Sequence, residues 1–141
     1  MQKKELKKAN GDVYFEAERL PDNSYILINW IGTQTLESVV MGGNHVLAML
    51  REKPCIAVIN SNQELVGPWD VAVNYLANKW APAAHALGLK YFAHIISPGI
   101  FGQRSFEQFE KSVLVPLTVK QFEGKPEAER WLSEQESINT L

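Results

Sequence analysis

The sequence predicts an α/β fold in which a mixed, largely parallel sheet carries about four helices. Strand-like apolar runs alternate with amphipathic helix-like segments along most of the 141 residues, as in folds built on parallel strands. Two of the runs are apolar on both faces, which is typical of central parallel strands. Two further runs flank a short turn near the N-terminus and predict an antiparallel hairpin at one edge of the sheet.

The hairpin is predicted from residues 13–20 and 25–30, which are separated by the turn-forming segment Pro-Asp-Asn-Ser at 21–24. Four lysines precede it, before any apolar run begins. Chain ends of this composition are usually poorly ordered, so residues 1–11 are expected to form a flexible basic tail.

Three helices between strands are predicted from apolar residues at three- and four-residue spacing. The first has Thr33 or Thr35 as its N-cap and carries a glycine pair that indicates close packing or a bend. The second begins at Pro68, and Pro82 is expected to break or kink it. The third has Ser105 as its cap.

The doubly apolar runs 55–60 and 91–97 are predicted to be the central strands, and 117–122 the last strand. A final helix follows, so the predicted order is β-β-α-β-α-β-α-β-α. We expect one domain over residues 12–135 and a C-terminal tail over 136–141.

The composition excludes several classes of partner. The formal net charge is −2 and no basic face stands out, so no nucleic-acid binding is expected. No stretch approaches the ~18–20 apolar residues of a membrane span. Cys55 is the single cysteine, which excludes an internal disulfide and a cysteine-based zinc site. We therefore expect a reducing, cytoplasmic location and no metal or cofactor.

Catalytic motifs are missing from the sequence. It contains no G-x-G-x-x-G loop, no Walker motif and no G-x-S-x-G elbow. His94 lies in an otherwise apolar strand, where burial would lower its pKa. Either it is a core histidine bonded to a neighbour, or it serves a site. A lone histidine without a partner has no mechanism, so the chain is predicted not to be an enzyme.

Several short motifs occur in this order of elements: Trp30-Ile-Gly32 before a helix, Gly67-Pro-Trp69 opening the second helix, and a Phe122, Ala128, Trp131 ending. Together they resemble the SpoIIAA-like (STAS) family, named for sulphate transporters and anti-sigma-factor antagonists, over roughly residues 12–135. The resemblance implies a four- to six-stranded mixed sheet. It also implies a non-catalytic role in switching by protein–protein contact or in sensing a small ligand.

One feature of that family is absent here. Members that act as phospho-switches carry a serine or threonine at the start of the second helix. The corresponding segment 64–69 reads Glu-Leu-Val-Gly-Pro-Trp and has no hydroxyl group. The phosphorylation switch is therefore not carried over to this chain.

A candidate ligand site lies where two predicted parallel strands end, because ligands of open α/β sheets bind at the carboxyl ends of strands. A helix start with a nearby arginine follows, an arrangement that can hold an anion. Ordinary turn and capping chemistry favours the same residue types, so both interpretations stay open. The candidate ligand-binding residues are Asn60, Ser61, Asn62, His94, Ser97, Arg104 and Ser105.

Trp69 and Trp80 fall on one face of the second helix, where tryptophan serves either core packing or a contact surface. They are the candidate interface residues. The leading hypothesis is a non-catalytic regulatory or adaptor domain with a protein partner. A small-molecule or lipid-binding carrier or sensor, with an apolar or small anionic ligand, is the alternative, and it requires an apolar cavity.

An enzyme is the third hypothesis. It requires at least two of Asn60, His94, Ser97 and Arg104 to meet in one cleft. A homodimer is a further expectation, because the edge strands of such a sheet need covering.

Overall fold

The computed structural model contains a six-stranded sheet in the sequential order β1-β2-β3-β4-β5-β6. It describes the backbone of residues 3–139 and the side chains of residues 3–135. β1, β2 and β3 pair antiparallel, whereas β3 to β6 pair parallel, so the mixed sheet with an antiparallel hairpin is confirmed. The strands are Lys3–Lys7 (β1), Val13–Arg19 (β2), Ile26–Gly32 (β3), Ala57–Leu65 (β4), Tyr91–Ile95 (β5) and Thr118–Phe122 (β6).

Four helical segments accompany the sheet in the described part of the chain. The segment between β4 and β5 is continuous, because a 3₁₀ turn at Asp70–Ala72 and a π-helical turn at Leu76–Trp80 flank and join its two α-helical pieces. The α-helices are Leu36–Glu52 (α1), Val73–Tyr75 (α2), Ala81–Ala86 (α3), Ile100–Ser112 (α4) and Lys125–Asn139 (α5).

The main core lies on one face of the sheet. Parallel strands joined in sequential order by crossovers of the usual right hand place all of their connecting helices on the same side. α1, the segment from Asp70 to Ala86, and α4 accordingly cover this face and bury a large apolar cluster that includes Phe15, Ile28 and Phe106. α5 covers part of the opposite face, where Ala128 and Leu132 pack on a smaller cluster.

The predicted basic tail over residues 1–11 is wrong for Lys3–Lys7, which form the edge strand β1. The strand pairs with β2 from Lys3 opposite Glu18 to Lys7 opposite Val13, and Lys3 Nζ lies 3.3 Å from Glu16 Oε2. Pairing satisfies backbone groups that β2 would otherwise expose at an edge. The exposed lysines on β1 keep the new edge charged, which discourages pairing with another chain.

Residues 136–139 also differ from the predicted C-terminal tail, because the helical backbone of α5 continues to Asn139. Residues 140–141 of that predicted tail lie outside the described residues. None of the described helices is both long and apolar enough to cross a membrane.

Only some of the predicted helix caps and breaks agree with the structure. Thr35, one of the two predicted caps, is the N-cap of α1. Its hydroxyl accepts a hydrogen bond from Ser38 N at 3.1 Å. Pro82 does not break the second helical segment, because it lies in the first turn of α3, directly after the π-helical turn. Ser105 is not a cap, since α4 already begins at Ile100.

Replacing Tyr25 with Phe should lower the free energy of unfolding by about 1–2 kcal/mol, the usual range for a hydrogen bond to a charged group. The buried Tyr25 hydroxyl donates to Glu129 Oε2 at 2.7 Å and ties α5 to the sheet. Burial raises the pKa of Tyr25, so the hydroxyl stays a donor. Urea unfolding measures the change, with Glu129→Gln as the control that retains an acceptor. Equal losses in both variants would contradict this role of the hydroxyl.

Candidate functional site

A chain of three buried polar side chains crosses the centre of the sheet on its main core face. Trp30 Nε1 donates to Asn60 Oδ1 at 2.8 Å, and Asn60 Nδ2 lies 3.2 Å from His94 Nδ1. Asn60 and His94 are directly opposite each other on β4 and β5. Three neighbouring strands are therefore joined by side chains as well as by their backbones.

The hydrogen-bond donors among these three side chains determine the tautomer of His94. An indole N–H can only donate, so the oxygen of Asn60 faces Trp30 and its amide nitrogen faces His94. His94 Nδ1 must then accept, which places the proton of the neutral ring on Nε2. Nε2 has no hydrogen-bond partner, so His94 carries an unsatisfied buried donor.

His94 is held in an apolar environment. Its ring stacks on Phe106 with centroids 3.9 Å apart, and it is 1% exposed. Burial lowers its pKa to about 3, so the ring is neutral at physiological pH. A neutral histidine without solvent access and without a charged neighbour contributes packing and hydrogen bonding here, not proton transfer.

The glycine pair of α1 brings that helix close to the sheet at Gly42 and to the neighbouring helical segment at Gly43, as its sequence indicates. A Cβ on Gly42 would lie 2.5 Å from Trp30 Cη2, and one on Gly43 would lie 2.8 Å from Tyr75 Oη. Trp80 Nε1 uses the same approach to donate to the Gly43 carbonyl at 3.0 Å. The two glycines therefore position both tryptophans beneath α1.

A small cavity of about 30 Å³ lies between the sheet, α1 and the segment from Trp69 to Trp80. Asn62 and Trp69 are among its lining residues, and Asn62 Nδ2 and Trp69 Nε1 are buried without a hydrogen-bond partner. The other lining side chains are mostly apolar. They are Ile28, Trp30, Gln34, Val39, Val46, Asn60, Leu65, Leu76, Trp80, Phe92 and Phe109, with the backbone of Gly43.

The seven predicted ligand-binding residues do not form one exposed site. Asn60, Asn62 and His94 lie on the main core face, and Ser61 faces the opposite side of the sheet because side chains alternate along β4. Arg104 is exposed on α4, whereas the other six residues are buried. The predicted anion site at these strand ends therefore has no support in the positions of these residues.

Ser97 and Ser105, the remaining two of the seven, support the packing of α4. A Cβ on Gly102 would lie 2.5 Å from Ser97 Oγ, so α4 rests directly on this serine. Ser105 Oγ donates to the Phe101 carbonyl and accepts from the backbone N–H of Trp69 at 3.0 Å. Ser105 is thus a buried part of the contact between α4 and the loop that follows β4, and Ser97 of the contact between α4 and the loop that follows β5.

The predicted contact surface of Trp69 and Trp80 is wrong, because the two side chains are buried in the main core. Trp80 packs edge-on against Phe92, and Trp69 lies near Phe109. Burial of these large rings removes more apolar area from water than exposure at a surface would. They therefore belong to the core that surrounds the cavity.

Exposed apolar side chains instead cluster where the parallel strands end. Val66, Val71, Ile100 and Phe101 are 56–60% exposed, and we call them the strand-end patch. Their segments adjoin, since a Cβ on Gly102 would lie 3.5 Å from the Gly67 carbonyl oxygen. No pattern in the sequence singles out these residues, and their exposure depends on how α4 packs beside the 3₁₀ turn.

The described residues hold no group of three side chains suited to a metal ion. The thiol of Cys55 is buried, and burial raises its pKa, which keeps it protonated and unreactive. Asn60 and His94 do meet, as the enzyme hypothesis requires, but in the core and not in a cleft. Neither group is accessible to a substrate in this arrangement.

Comparisons with known proteins give matches among solved structures. Neither the protein-family models nor the curated proteins contain a match to this chain. Among solved structures, the chain is similar to the anti-sigma factor antagonist SpoIIAA in its unphosphorylated form, with a TM-score of 0.59 and 11% sequence identity. The match covers 85% of this chain and 97% of SpoIIAA. The fold is therefore SpoIIAA-like, as the resemblance in the sequence indicates.

Proposed function

We propose that this chain is a non-catalytic regulatory or adaptor domain that binds another protein through the strand-end patch. The observation that carries the proposal is the exposure of four apolar side chains on two adjoining segments, Val66, Val71, Ile100 and Phe101. Contiguous exposed apolar side chains mark contact sites more often than scattered ones do. A cytoplasmic location is part of the same proposal.

The SpoIIAA-like fold supports a regulatory role, since SpoIIAA is itself an antagonist of an anti-sigma factor. The interior supports the absence of catalysis, because His94 is buried and neutral and no other titratable group adjoins it among its contacts. Switching by phosphorylation of Ser61, Ser97 or Ser105 is not part of the proposal, because all three are buried.

A lipid carrier has less support than an adaptor. The cavity of about 30 Å³ is far smaller than the ~300–1,000 Å³ of typical ligand pockets. An acyl chain would need most of the surrounding core to move. The interior as it stands therefore favours protein contact over transport of a large apolar molecule.

Phe101→Asp should weaken binding of the partner without unfolding the protein, because it places a charge in the strand-end patch. The matched control is Leu114→Asp, which changes an equally apolar, 89% exposed residue beyond the other end of α4. Wild type and both variants are used to recover bound proteins from the native cells. The recovered partner is then purified, and its affinity is measured by calorimetry, with an expected loss of at least about tenfold for Phe101→Asp alone.

Two results would contradict the proposal. One is a purified partner that binds wild type and Phe101→Asp equally. The other is a homodimer in light scattering that Phe101→Asp dissociates, since the patch would then be a self-contact. Circular dichroism of both variants establishes that they are folded before either result is interpreted.

A further inference from the structure

The cavity beneath α1 has an unusual balance of hydrogen-bonding groups. Asn62 Nδ2 and Trp69 Nε1 are both donors, both lack a partner, and their side chains are 1% and 5% exposed. Buried donors without an acceptor are costly, and native structures rarely retain them without a bound water or ligand. Two such donors around one cavity therefore indicate an occupant that accepts hydrogen bonds.

The polar groups around the cavity discriminate between possible occupants. Trp30 and Asn60 already bond each other, and the Gln34 side chain bonds Ser38 and backbone carbonyls. A water molecule could accept from both free donors, but its own two O–H groups would then need acceptors in a mostly apolar space. A carbonyl oxygen has two lone pairs and no proton to place, so it matches the pair of donors better.

The residues that line the cavity also indicate the charge of its occupant. No lysine, arginine, aspartate or glutamate is among the residues that line the cavity. Burying a carboxylate or an ammonium group there, without an opposite charge, would be strongly unfavourable. The cavity therefore suits a neutral molecule.

The burial of the lining residues indicates where a guest would enter the cavity. Of the lining residues only Leu76 is partly exposed, and it is the first residue of the π-helical turn. Such turns occur frequently at functional sites. A guest larger than water would need this side chain to move, both to enter the cavity and to gain space within it.

We infer that the cavity is a binding site for a small neutral carbonyl compound, a ketone or aldehyde, whose oxygen accepts hydrogen bonds from Asn62 Nδ2 and Trp69 Nε1. The guest enters beside Leu76. This site is separate from the strand-end patch, so its occupancy does not depend on a protein partner.

Acetone, 2-propanol and acetate test this inference, because they have nearly the same size and differ in hydrogen bonding and charge. Each is titrated into the ¹⁵N-labelled protein while the indole N–H signals of the four tryptophans are followed by NMR. We expect acetone alone to produce a saturable downfield shift of the Trp69 signal. Trp131, on the opposite face of the sheet, is the internal control and should not shift.

Variants test the two donors separately. Asn62→Leu should weaken acetone binding about fivefold to tenfold, the loss expected for one buried hydrogen bond. Trp69→Phe should do the same, with the signal of Trp80 as the probe because this residue also lines the cavity. Trp131→Phe is the matched control and should bind acetone like the wild type.

The wild-type titrations test the inference even if a variant does not fold. No saturable shift at Trp69 with acetone would overturn the inference. Equal binding of 2-propanol would overturn it too, because the site would then not select a pure acceptor. A bound water that acetone does not displace, detected by magnetisation transfer from solvent to the Trp69 indole, would assign the donors to water instead.

Discussion

Lowering the pH from 7 to 4.5 should reduce the free energy of unfolding by about 2.5 kcal/mol through His94 alone. Burial holds the pKa of His94 at about 3 in the folded protein, against an ordinary value of 6.5. The unfolded chain therefore binds a proton below pH 6.5 that the folded protein does not take up until about pH 3. Stability is fully present above pH 6.5 and is lost as the pH falls through this window.

Urea unfolding at a series of pH values measures this loss, and His94→Phe isolates its cause. Phenylalanine keeps the stacking with Phe106 but cannot be protonated, so the variant should lose about 2.5 kcal/mol less than wild type over the same range. Its stability at pH 7 should fall by about 1 kcal/mol, because Asn60 Nδ2 loses its partner. His85→Asn is the control for a half-buried histidine outside the core. An unchanged pH dependence in His94→Phe would show that other groups cause the acid sensitivity.

Gly42→Ala should destabilise the protein by about 2–3 kcal/mol, although alanine is the better helix former by about 1 kcal/mol. The added methyl group would lie 2.5 Å from Trp30 Cη2 and 2.7 Å from Phe15 Cδ2. Both rings are buried, and the hydrogen bond to Asn60 holds Trp30 in place. Because neither ring can turn aside freely, α1 must move away from the sheet.

Gly43→Ala provides a matched control in the same helical turn. Its methyl group would meet the Tyr75 hydroxyl at 2.8 Å and the buried Trp80 Cδ1 at 3.0 Å, a less severe overlap than that of Gly42. Tyr75 is only half-buried, and its ring can shift outwards. We therefore expect Gly43→Ala to cost at least about 1 kcal/mol less than Gly42→Ala. Urea unfolding of both variants checks the order, and a larger loss for Gly43→Ala would contradict this account of the packing.

The main elements of the fold were predictable because their signals are local. Thr35 is a capping residue at the right distance from the apolar positions of α1. The two doubly apolar runs are the central strands β4 and β5, as burial on both faces requires. β4 continues to Leu65, however, beyond the predicted run 55–60 and through the polar residues Ser61 and Asn62. Pairing with β3 overrides the low strand propensity of these polar residues.

The candidate sites were much less predictable, because they depend on contacts between distant residues. The lysine-rich β1 has no strand signal of its own and is ordered by its partner β2. The exposure of Phe101 and the burial of Trp69 both follow from the docking of α4, which a hydrogen bond between Ser105 and Trp69 secures. No spacing in the sequence reports that Trp69 and Asn62 line one cavity.

The sequential order of the strands has a consequence for how this chain reaches its native state. Each strand from β2 to β6 pairs with the one made just before it, so no pairing waits for a distant part of the polypeptide. The three parallel pairings each close over a connection that contains a helix, which slows folding, but the sheet can still grow in one direction during synthesis. Within the described residues β1 and β6 are the two edges of the sheet, so an extra strand can be gained beside either one during evolution without crossing an existing connection.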